Sequence, residues 1–266
     1  MISVPAGLPL LRRGAGATTM RDGGCFVQVA GYLADGHSWS EYATSVHPVI
    51  RAAGIKCNDM MSAAARPQLA PLAGDAAGTG PEPSGVAGQV LTVRLLAWVA
   101  QRVSQHWSHR RLCQNAVNAA LNWADCPCPE HRAVADRTHQ AMDSLLYSDA
   151  NVVAALAARI ASADLISMPS PDWAVSTAVS VDVAHATDRN QALHDFLREL
   201  IGEHRRLTGH APAPLQRWGQ VCELLGTTGR VATAVPGSGG SSRRFSSSPS
   251  FTTGAPTATP SPSAIR

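Results

Sequence analysis

Apolar residues recur along most of this chain at spacings of three and four, with polar residues between them, and no stretch alternates like a half-buried strand. The clearest case is TDRNQALHDFLRELIGEHRRLTGH. Leu193, Phe196, Leu197, Leu200 and Ile201 share one face there, and charges cover the other. Thr187 or Asp188 can cap its start, and Gly209 can end it. In QVLTVRLLAWVAQRVSQHW, Leu91, Leu95, Trp98 and Val99 form a second stripe. NVVAALAARIASADLI and PDWAVSTAVSVDVAHA read as Ala-rich helices that can pack closely. The pattern predicts an all-α protein, an Ala-rich bundle of roughly five to seven helices over residues 89–233. A smaller N-terminal helical segment over 21–73 precedes it, after a flexible N-terminus over 1–20.

Two stretches interrupt the helical text. GDAAGTGPEPSGVAG reads as a Gly- and Pro-rich linker over 74–88, and without a lysine its glycines are not a phosphate-binding loop. The last residues, 234–266, are nearly all Gly, Ser, Thr, Pro and Ala with two isolated phenylalanines. Such a segment buries too little surface to offset its ordering entropy, so a disordered tail is expected.

Charge changes the picture only by exclusion. The formal net charge is +3, but Arg243, Arg244 and Arg266 lie in the acid-free tail, which leaves 22 − 3 = 19 basic against 19 acidic residues in the rest. A neutral body lacks the basic field of a phosphate-tracking nucleic-acid binder. Lys56 is the single lysine, so the arginine excess reads as a bias of coding composition. No segment approaches the roughly 20 apolar residues of a membrane-spanning helix. The N-terminus, with its arginines after the apolar run, fits a secretory signal poorly. A cytoplasmic protein is expected, with its six cysteines (25, 57, 113, 126, 128 and 222) as reduced thiols or ligands rather than a disulfide framework.

The most chemically loaded stretch is WADCPCPEHRAVAD. Cys126, Cys128 and His131 could hold zinc with a fourth ligand from elsewhere, although Cys-x-Cys-x-x-His is not a familiar structural zinc spacing. His106, His109 and Cys113 share a helical face upstream, but a helix would place Cys113 on the order of 15 to 20 Å from Cys126, too far for one joint site. A second reading makes the stretch a rigid interhelical corner, with Pro129 at the first helical position and Glu130 favoured by the positive helix end. A third makes Cys128 a reactive thiol at a helix N-terminus, with Glu130 opposing its ionisation. No nucleophile elbow, zincin motif or dinucleotide fingerprint occurs.

The stretch from Gly23 to Gly80 resembles a group of uncharacterised actinobacterial proteins. It carries Cys25, then Tyr32 to Ala34, Ser38 with Trp39, His47 to Val49, Asn58 with Asp59, and Leu69 to Leu72. The later WADCPCPEHRAVA and FLRELIGEHRRLTG look similar to that group too, so the resemblance spans about residues 24 to 210. It implies an Ala-rich helical fold and carries no established activity. The group often has a cysteine shortly before the His-Pro pair, where this chain has Ser45 and Val46, and an acid near the first cysteine, where Gln28 stands. Cys25, His47, Asn58 and Asp59 are its candidate positions, without an assigned role. His47-Pro48 also suits a helix start, and Asn58 and Asp59 can bond to a neighbouring backbone or helix.

The expectation is a non-enzymatic protein-interaction or regulatory module without a cofactor, acting on a protein partner. The alternative is a metal-binding or thiol-redox-responsive protein that uses the Cys-Pro-Cys-Pro-Glu-His stretch, with zinc as the metal. A further option is an enzyme with a site assembled from distant residues, for which His47 and Asp59 are the candidates.

Overall fold

A computed structural model of the chain describes residues 11–13, 23–37, 39–80, 85–104, 110–143, 152–163 and 170–211. Among them, regular structure is helical: α1 (Phe26–Asp35), α2 (Pro48–Met60), α3 (Ala70–Ala76), α4 (Val86–Ser104), α5 (Arg110–Asp125), α6 (Pro129–Asp143), α7 (Val152–Ser162), α8 (Asp172–Ala184) and α9 (Arg189–Thr208). A 3-10 turn, Arg66–Leu69, leads into α3. An isolated parallel bridge between Leu11 and Gly24 joins the first described residues to the start of α1. The expected tail, 234–266, and the sixth cysteine, Cys222, lie outside the described residues, as do His106 and His109.

Local chemistry sets the helix ends. The Asp188 carboxylate accepts from the Gln191 amide at 3.0 Å and caps α9, and Gly209 closes it. His47 caps α2 with Pro48 behind it, its Nδ1 accepting from the Val49 amide. Cys25 starts α1 in a capping box whose other half is Gln28, which accepts from the Cys25 amide at 2.9 Å. Gln28 supplies that acceptor as an amide oxygen.

The core is one contiguous cluster that runs from Leu11 to Ile201. α4, α5 and α7 pack on one another, and α6 closes against α5 and α7. α4 also meets α8 and α9, α8 and α9 hold α2, and α3 lies against α1 and α9. The stripe predicted for α4 covers only part of what it buries. Val93, Leu96, Ala97 and Ala100 are buried besides Leu91, Leu95 and Val99, which makes α4 a central helix. α7 buries Ala154, Ala155, Ala157, Ala158 and Ala161, small side chains that let its neighbours approach. Arg102 of α4 ties the outer helices to this centre. It pairs with Asp182 of α8 at 3.2 Å and with Glu199 of α9, over the rings of Trp98 and Phe196.

The N-terminal helices share this core. A Cβ on Gly54 of α2 would overlap the Phe26 ring, so glycine lets α1 and α2 touch there. The stretch expected as a linker begins inside α3, where Gly74 and Ala76 are buried. Its Gly80 lies on the Thr44 carbonyl with no room for a side chain, and its amide donates to Ser45 at 3.0 Å. That segment is therefore packed structure as far as Gly80.

Candidate metal and thiol site at the α5–α6 corner

Trp123 and Ala124, buried at the end of α5, fix the base of the corner. The Cys126 amide still donates to Asn122 as α5 unwinds, and Arg94 of α4 holds Asp125 at 2.7 Å. The Cys128 amide then donates to the Cys126 carbonyl at 2.7 Å, a two-residue bond that suits the fixed φ of Pro127 between them. The Cys128 carbonyl accepts from Arg132 and opens α6 with Pro129 in its first position. The proline corner read from the sequence is present.

The same backbone brings side chains together. Cys126 Sγ, Cys128 Sγ and a ring nitrogen of His131 lie within 4.8 Å of one another. Two sulfurs bound to one zinc at about 2.3 Å each stand at most about 4.6 Å apart, so small rotations suffice to make this a ligand set. His131 Nδ1 lies 3.0 Å from the Cys126 carbonyl, which can only accept, so that nitrogen carries the proton and Nε2 keeps the free lone pair. The hydrogen bond with Cys128 raises the Cys126 pKa, and Glu130 adds to it. The Glu130 carboxyl is held below its usual range by its own amide and by Cys128. Cys126 is exposed and Cys128 half-buried, whereas Cys25, Cys57 and Cys113 are buried. Cysteine is among the most buried residue types, and burial pushes the thiols of Cys25 and Cys57 up and that of Cys113 up to about 12.

The other candidate positions are built into the fold. Cys113 stands on α5 about 20 Å from Cys126, from a rise of about 1.5 Å per residue. Cys25 is a buried cap. Asn58 is fully buried, donating to the Arg12 carbonyl at 2.7 Å while its own carbonyl accepts from Arg66 at 2.8 Å. Asp59 lies half-buried near the C-terminal end of α2. His47 caps the other end, roughly 18 Å away along the axis. The structure does not bring His47 and Asp59 together.

His47 belongs to a different group. Its ring packs edge-on against His204 of α9 at 5.5 Å, and His204 against His210 at 5.9 Å. The His47 amide donates to Thr79 Oγ1, and His210 Nε2 donates to the Ala77 carbonyl. Burial, then His204 and Arg51, lowers His47 to about 3. Burial and His210 lower His204 to about 4, despite the Thr79 carbonyl. Sequence reasoning missed this row, although His204 falls on the buried face of Leu197, Leu200 and Ile201.

The chain matches no protein-family model, no curated protein and no solved structure. Among the described residues, no helix is long and apolar enough to cross a membrane.

Proposed function

We propose that the protein is a non-enzymatic, metal-responsive module that takes a thiophilic cation, zinc or cuprous copper, on Cys126, Cys128 and His131. One observation carries the reading: among the described cysteines, the two that are not buried are those whose sulfurs converge with an imidazole. A stiff turn needs the prolines but neither thiol, and exposed cysteine is uncommon without a chemical reason. Thiolate and imidazole donors together suit zinc and cuprous copper over magnesium or calcium. A reducing cytoplasm keeps the pair as thiols, and regulation through a protein partner is the role that fits a metal-sensitive corner on a helical body.

The test is metal content. The full chain, purified under reducing conditions without chelator, is expected to hold close to one zinc or copper ion, and Cys126→Ser with Cys128→Ser to hold none. A metal-free wild type that binds neither ion on addition would leave the corner a proline-stiffened turn and move the search to protein contacts.

A further inference from the structure

We infer that the corner is a site of metal transfer, which gives its ion to a molecule that presents a pair of thiols, and not a structural metal centre. This rests on the metal-binding reading above.

The first ground is the number of donors. Structural zinc sites are closed by four protein ligands, and sites that exchange or react keep a position open. Among the described residues the group consists of Cys126, Cys128 and His131. Among the described residues, that donor set leaves one tetrahedral position open.

Access is the second ground. Cys126 is exposed, and α6 buries only Ala135 and Met142 among its residues, so the corner and the outer side of α6 face solvent. An incoming sulfur can reach the ion without displacing the core.

The third is independence from the fold. The corner closes through its own backbone: Asn122 accepts from Cys126, Cys126 from Cys128 and Cys128 from Arg132, at 3.1, 2.7 and 3.0 Å. Trp123 and Ala135 anchor both sides in the core. The metal is not needed to shape the loop, so its binding energy is not folding energy, the reverse of a zinc-finger site. Preorganised donors bind tightly enough to hold an ion, while the open position lets it leave by exchange.

The step balances without electron transfer. On loading, Cys126 and Cys128 each give a proton to solvent as two metal–sulfur bonds form and the His131 ring donates its lone pair. On transfer, a thiolate of the acceptor bonds to the ion in the open position and the His131 bond breaks. The acceptor's second thiolate displaces Cys126 and then Cys128 as water completes the ion's coordination, and the two protons lost by the acceptor's thiols balance the two that the cysteines take back through solvent.

The experiment uses the full chain loaded with one zinc ion, and a Cys-Ala-Ala-Cys peptide as acceptor. Zinc on the peptide is followed over a range of peptide concentrations, with far-UV circular dichroism before and after. The transfer rate is expected to rise in proportion to peptide, to at least ten times the spontaneous release into a dilute chelator, with helix content unchanged. His131→Ala is expected to raise spontaneous release tenfold or more while leaving the helix signal intact. A rate independent of peptide, or a loss of helix on removing zinc, would overturn the transfer role and leave metal binding standing. A chain that binds neither zinc nor cuprous copper on addition overturns both.

Discussion

Two groups of residues in this molecule set imidazoles in contrasting surroundings. At the contact of α2, α3 and α9, His47, His204 and His210 form a row whose first two rings are buried. At the α5–α6 corner, His131 stands beside two thiols at the surface. In the first setting burial outweighs every other influence on His47 and His204 and keeps those two rings neutral, so they contribute shape and helix capping. In the second, solvent leaves the donors able to exchange protons for a cation. The described cysteines divide the same way, with Cys25, Cys57 and Cys113 buried in the core, Cys126 exposed and Cys128 half-buried. Location, more than residue type, separates structural chemistry here from the reactive chemistry proposed for the corner.

The largest expected effect is acid sensitivity of the buried row. His47 and His204 have folded pKa values of about 3 and 4 against 6.5 in a free chain. Below 6.5 the unfolded chain takes up protons that the folded chain refuses, so stability is complete above that pH and is lost as pH falls toward 4 and 3. At pH 4.5 the two rings together are expected to cost on the order of a few kcal/mol. Urea unfolding at pH 7.5 and 4.5 measures it. His204→Phe is expected to remove about half of the pH dependence; an unchanged slope would show that the row does not control it.

Next in size is Gly54→Ala. Its Cβ meets the Phe26 ring, and overpacking of that kind costs about 1–3 kcal/mol, read as a lower denaturation midpoint at constant slope. Asp188→Ala removes the cap of α9, the helix that carries His204, and is expected to cost about 1 kcal/mol, with Asp188→Asn recovering most of it.

The helices of this fold were legible because each side chain reports its own face: the α9 stripe, Asp188 and Gly209 stand in the sequence as they stand in the structure. The central place of α4 was not, since Arg94 and Gln101 interrupt its pattern, and only the packing of α5, α7, α8 and α9 around it shows how much it buries. At the corner, Pro127 and Pro129 announced the turn, and the donor set was named from spacing alone. The turn bond from Cys128 to Cys126 and the hydrogen bond from His131, which aim the donors, depend on backbone geometry that spacing does not encode. The histidine row joins residues distant in the chain, so a single sequence offered only the position of His204 on a buried face.

The smallest expected effect on stability is the most informative about the corner. Replacing Cys126 and Cys128 by Ser removes both sulfurs and leaves the prolines, the backbone bonds and the buried Trp123 in place. Surface substitutions away from caps and cores usually change stability by less than about 0.5 kcal/mol, so the metal-free double variant should unfold with the wild-type midpoint and the same acid profile. A loss near 2 kcal/mol in that variant would mean that the sulfurs hold the turn, and the division between structural and reactive sites would fail at the place where it matters most. An unchanged midpoint together with lost metal binding would separate the two functions of the stretch: the prolines shape the corner, and the thiols and His131 give it its chemistry.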